Sequence, residues 1–146
     1  MLKKIALVLL VLTFITGAAF CADTSAFKYS AGLDNPFFGL LLRNSSGQIE
    51  ADLGVSLGLG ISYKRYFEHL KFNRDFDPAK IENFSFFWAI GTYALVLPYA
   101  GVGFDYAWDN GFYLGAGLVT SSAIRYEIGS GYIGYIGPEI HGGLMF

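Results

Sequence analysis

The sequence predicts an all-β fold: an eight-stranded antiparallel up-and-down transmembrane β-barrel. Three observations predict it. Apolar and polar residues alternate with period two along most of the chain, as a strand with two unlike faces requires. The polar positions of that alternation hold Gly, Ser and the strand charges, with Glu82 at a strand edge as the exception. Aromatic residues gather near strand ends on the apolar positions, the composition of an interfacial girdle.

Composition bounds the reading. The chain has 146 residues, which suits one folded domain. Charged residues are 15%, against about 25% in an ordinary soluble domain. Apolar residues reach 53%, aromatics 18%, and mean hydropathy is +0.43. Disorder is excluded, because it needs low hydrophobicity and high net charge. A net charge of -2 and a pI of about 5.6 leave no basic field for nucleic acid. One cysteine excludes a disulfide framework and a CxxC zinc site. His69 and His141 are too far apart in sequence to make a metal motif, so neither metal nor cofactor is expected.

Residues 1–22 read as a signal peptide and 23–146 as the barrel domain. Lys3 and Lys4 form the positive start, Ile5 to Ile15 is an apolar run broken by Thr13, and Gly17-Ala18-Ala19 supplies small residues before cleavage. The run is shorter than the roughly 20 residues of a spanning helix. Removal of Lys3 and Lys4 lowers the basic count from 10 to 8 against 12 acidic residues, a net charge of -4.

Eight strands are predicted near 25–33, 37–43, 48–63, 82–96, 99–108, 111–120, 122–129 and 132–146. The strongest is 48–63, where Ile49, Ala51, Leu53, Val55, Leu57, Leu59, Ile61 and Tyr63 alternate with Gln48, Glu50, Asp52, Gly54, Ser56, Gly58, Gly60 and Ser62. Turn chemistry separates the runs at Asp34-Asn35-Pro36, Asn44-Ser45-Ser46-Gly47, Asp109-Asn110-Gly111, Thr120-Ser121-Ser122 and Gly129-Ser130-Gly131, and less strongly at Leu97-Pro98.

Alternation alone does not say which face is outside. A soluble exterior is usually rich in Lys and Glu, whereas small polar residues suit the filled lumen of an eight-stranded barrel. A charge on the lipid face near mid-bilayer costs about 2–4 kcal/mol, which favours the segregation seen. The long link from Lys64 to Ile81 follows the third predicted strand. With both termini periplasmic it would face outward, as long barrel loops do.

At this level the mature chain resembles the small eight-stranded outer-membrane barrels of the OmpA, OmpX and OmpW type. The resemblance is carried by the pattern of the whole chain and by three local features. These are the terminal strand with Ile140, Leu144 and Phe146 on one face, the segment Tyr99-Ala-Gly-Val-Gly-Phe-Asp-Tyr-Ala-Trp, and the following Gly111-Phe-Tyr-Leu-Gly-Ala-Gly-Leu. It implies that Ile140, Leu144 and Phe146 act as the signal read by the outer-membrane assembly machinery. It also implies a location in a bacterial outer membrane.

The candidate chemistry is sparse. A lumenal polar network is expected from Lys28, Arg43, Glu50, Asp52, Tyr99, Asp105, Arg125, Glu127, Glu139 and His141, paired because unpaired burial is costly. Glu139 and His141 share a strand face, but one such pair is a weak sign of a hydrolase. In the 64–81 link, Lys64, Arg65, Lys71, Arg74 and Lys80 are candidate surface contacts for lipopolysaccharide phosphates or a partner protein. The leading expectation is a monomeric, non-catalytic membrane barrel with a structural or surface-interaction role, in contact with membrane lipid. Alternatives are a narrow channel or small hydrophobic-molecule transporter, and a periplasmic lipocalin-like binder.

Overall fold

The computed structural model describes residues 24–56, 59–128 and 131–146. The expected signal peptide lies outside the described residues. The strands are β1 (Tyr29–Leu33), β2 (Phe38–Arg43), β3 (Ile49–Ser56), β4 (Gly60–Tyr66), β5 (Phe72–Asn73), β6 (Ser85–Tyr93), β7 (Leu97–Trp108), β8 (Phe112–Ile128) and β9 (Gly131–Met145). Eight of them pair antiparallel in the order β7-β6-β4-β3-β2-β1-β9-β8, and β8 returns to β7. The sheet is therefore a closed eight-stranded up-and-down barrel, which removes its edges except where strand lengths differ. The two-residue β5 adds in parallel to the end of β7. No described helix is long and apolar enough to cross a membrane.

Two expected boundaries move, and their effects on the strand count cancel. The predicted strand 48–63 is the hairpin β3–β4, with Ser56 paired to Gly60. Its alternation runs straight through the turn, and Leu59 makes the turn with a φ of 69°. Leucine carries no turn signal, so the break is invisible to periodicity. Conversely, the predicted strands 111–120 and 122–129 are one strand, β8. The Thr120-Ser121-Ser122 turn is replaced by a register shift against β9 between Ser121 and Arg125.

This exchange reverses the placement of the long link. It follows the fourth barrel strand, so it lies at the end of the barrel that holds residues 24 and 146. We call this the terminal end. Residues 67–73 close the terminal mouth: Leu70 N–H donates to Ile49 O (2.8 Å) and Lys71 N–H to Ser85 Oγ (2.8 Å). Residues 74–84 fold over the outer face of β7. Phe76 packs on Tyr106 and Trp108, and Phe84 packs on Phe104 and Tyr106.

An apolar plug fills the terminal third of the lumen. It comprises Phe27, Leu41, Ile49, Leu70, Ala107, Tyr113 and Met145, with Phe72 against it. The alternation places Phe27 outside, yet it is fully buried. Lys28 and Tyr29 both donate their N–H to Phe146 O, a bulge that flips the parity below β1. Glu50 does the same for Ile49, because Arg43 pairs with Ile49 and Leu42 with Ala51.

The far rim is stepped. Strand length rises from 5 residues in β1 to 15 in β9. Beyond Leu33, paired with Gly142, no described residue pairs with β9 on its β1 side. Tyr29 and Phe146 exchange both backbone hydrogen bonds, so alternation turns the backbone groups of Ile140, Pro138 and Ile136 toward this open lane. Pro138 brings no N–H to it.

Candidate functional site: a buried ion-pair network in the lumen

The outward strand positions are apolar and solvent-facing. Leu40, Leu53, Val55, Ile61, Phe86, Ile90, Val102, Leu114 and Leu118 are all exposed. Among the strand residues in outward register whose side chains are described, Arg65 alone is charged, and it lies next to Trp88 at the terminal end of β4. The inward positions carry the polar groups: Ser30, Asp52, Ser56, Ser62, Lys64, Ser85, Asp105 and His141 are buried.

Asp105 is the hub. It accepts Tyr66 Oη–H at 2.7 Å on Oδ2, which also meets Lys64 Nζ at 2.7 Å. Its Oδ1 lies 2.7 Å from His141 Nε2. Lys64 continues to Asp34 Oδ2 at 2.6 Å. Its ammonium also sits over the Phe87 ring, 4.2 Å from the centroid. Beside this group, Ser30 Oγ–H bonds Asp52, and toward the far end Tyr99 Oη–H bonds Ser62 Oγ. Glycines make the room. A Cβ at Gly39 would overlap Asp52, and one at Gly115 would overlap both His141 and Asp105.

Asp34, Asp105 and His141 bring ligand atoms within 4.8 Å of one another, the one such group among the described residues. Lys64 Nζ contacts both carboxylates, so an ammonium already holds the cation position. His141 Nδ1 and Asp52 Oδ1 are buried with no hydrogen-bond partner.

The sequence-derived residues divide. Asp52, Asp105, His141 and Tyr99 are buried in the lumen, and Glu139 is half-buried there. Lys28 is a correction: it is exposed, because the bulge at Phe146 O turns it out. Arg43 is at the terminal mouth rather than in the network. Its guanidinium donates to the carbonyls of Thr24 and Phe27 at 2.8 Å each and to that of Gly47. Glu50 is the half-buried residue of the β3 bulge. The side chains of Arg125 and Glu127 lie outside the described residues.

Lys64 is the second correction. It was expected in the surface link, but β4 continues to Tyr66 and places Lys64 inward, 1% exposed. The signal for this was present: Gly60, Ser62, Lys64 and Tyr66 keep the parity of the polar face. Arg65, Arg74 and Lys80 are exposed and Lys71 is half-exposed, all toward the terminal end. Lys71 pairs with Glu68 at 3.2 Å and Lys80 with Asp77 at 3.6 Å. Ile140 and Phe146 are exposed on the outer face, and Phe146 packs near Tyr29 and Phe38. Leu144 is half-buried on the same face.

Asp34 and Ser30 were not among the expected site residues. Ser30 shows the same parity as the rest of the polar face. Asp34 reads as turn chemistry, and nothing local says that the turn folds inward. No family model, curated protein or solved structure matches the chain.

Proposed function

We propose that this chain is an integral outer-membrane β-barrel with a structural or surface-interaction role and no catalysis. One observation carries the reading: the exterior is apolar while a cluster of paired charges is buried in the lumen beyond the apolar plug. Water rewards neither arrangement, whereas lipid rewards both. The aromatic residues Tyr29, Phe38, Phe146, Trp88 and Trp108 on the outer face fit interfacial belts.

The lumen favours a structural role over conduction. The apolar plug and the Lys64 cluster leave no wide polar path among the described residues. A lipocalin-like binder would need an open apolar cavity, whereas the apolar part of this lumen is filled by the plug and the part beyond it holds paired charges.

The test is expression in a bacterium with an outer membrane, followed by gel electrophoresis of isolated outer membranes in SDS with and without boiling. A folded barrel in that fraction is expected to resist SDS and to change mobility on heating. A soluble periplasmic protein with no shift would overturn the proposal.

A further inference from the structure

The β1–β2 turn is unusual in being buried. Asp34 is 5% exposed, Asn35 7%, and Pro36 is among the fully buried side chains. Turns ordinarily lie at the surface, where water satisfies their backbone. Here the tip leaves the wall at Leu33 and folds into the far mouth, with Pro36 against Gly39. One polar side-chain bond between tip and wall is Asn35 Nδ2–H to Tyr93 Oη at 3.1 Å. The deepest contact is the Asp34 carboxylate on Lys64 Nζ.

We propose that Lys64 is the anchor of a binding site for a small organic carboxylate, and that Asp34 occupies it as an internal stand-in. Three observations support this beyond the contact itself. First, the two carboxylates on Lys64 are not equivalent. Asp105 belongs to the 12-residue β7 and is also held by Tyr66 and His141. Asp34 belongs to a four-residue link, where it also accepts the Asn35 N–H at 2.6 Å and bonds Tyr113, so one partner is set in a long strand and the other in a short link. Second, the tip is incompletely satisfied. Asn35 Oδ1 is buried without a hydrogen-bond partner. Beside it a cavity of about 10 Å³ is bordered by Asp34, Tyr99 and Glu139, about the size of one water. Third, no described residue pairs with β9 on its β1 side above Gly142, so a displaced tip would meet an unpaired strand edge. Phe87 and Tyr113 flank the ammonium at 4.2 and 5.4 Å and suit the apolar part of such a ligand. All these groups are lumenal, so the inference stands apart from the membrane reading.

A ligand that binds only the tip-out state is weakened by the fraction of time the tip is in. Removing the internal carboxylate removes that competition. Titration of the refolded full chain with acetate and with benzoate at constant ionic strength is the test. Asp34→Ala is expected to bind at least about tenfold more tightly than the native chain, and Asp34→Ala/Lys64→Met is expected to lose binding. Equal affinity in all three, or the same response to chloride, would overturn the proposal. Should the variants fail to fold, Asn35→Cys in a Cys21→Ser chain gives a second measurement. Its reaction with a water-soluble methanethiosulfonate is expected to accelerate about tenfold at saturating benzoate. An unchanged rate would overturn the proposal as well.

Discussion

Lys64 shows how one side chain can organise a lumen. Its ammonium is 1% exposed and touches two carboxylates at 2.6 and 2.7 Å. Removal of one partner from such a cluster leaves unpaired buried charge, which typically costs about 3–5 kcal/mol. Lys64→Met is therefore expected to destabilise the folded barrel by about 3 kcal/mol or more, measured by urea titration in lipid vesicles. A change below about 1 kcal/mol would mean that the cluster is solvated. A second residue-scale expectation concerns strain. Ala94 and Leu95 form the β6–β7 turn with φ of 48° and 66°. Both values fall in the left-handed region, where Asn and Gly fit and branched or apolar side chains do not. Ala94→Asn/Leu95→Gly is expected to raise stability by about 1 kcal/mol, seen as a higher urea midpoint.

At the scale of elements, the two ends of the barrel differ. The 67–84 segment shares the terminal end with residues 24 and 146. If the termini are periplasmic, Arg74 and Lys80 face the periplasm. Trypsin added to intact cells is then expected to spare both sites, and to cut there once the outer membrane is permeabilised. Cleavage in intact cells would place the segment outside. The open lane beside β9 gives another expectation. An exposed strand edge invites pairing, and a proline without an N–H blunts it. Pro138→Thr restores the donor and is expected to increase crosslinked dimer relative to the native chain. An unchanged monomer fraction would mean that the lane is covered in another way.

Much of this element-scale picture was legible in the sequence. Period two, the polar parity of Asp52, Asp105 and His141, and the turn at Asp109-Asn110-Gly111 all hold. What was hidden depends on tertiary context. Leu59 turns the chain without turn chemistry, Ser121 bulges with it, and bulges at Lys28 and Glu50 invert the faces of Phe27 and Ile49. These shifts reversed the expected side of the long link and concealed Lys64. Asp34 was hidden for a different reason. Its turn is correct in type, but only the partner 30 positions away draws it inward.

For the whole molecule, the dominant feature is the reversal of inside and outside. Its exterior carries exposed Leu, Ile, Val and Phe, and its core is an apolar plug beneath a charged layer. The wall is uneven. β6 to β9 run 9, 12, 17 and 15 residues, whereas β1 to β4 run 5 to 8. A tilted membrane strand needs about 9–11 residues. On the short side a bilayer would have to thin or the barrel to tilt, each at modest cost. The short strands are the ones whose link supplies Asp34, so the low wall and the inward tip are one structural feature.

Trp88 and Trp108, the two tryptophans of the chain, stand in outward register on β6 and β7. The most direct measurement is their fluorescence after refolding into vesicles of lipids brominated along the acyl chains. For a transmembrane inside-out barrel, strong quenching relative to unbrominated vesicles is expected, with the protein retained in the vesicle fraction. Unquenched emission from protein that stays in solution would contradict the membrane-spanning claim.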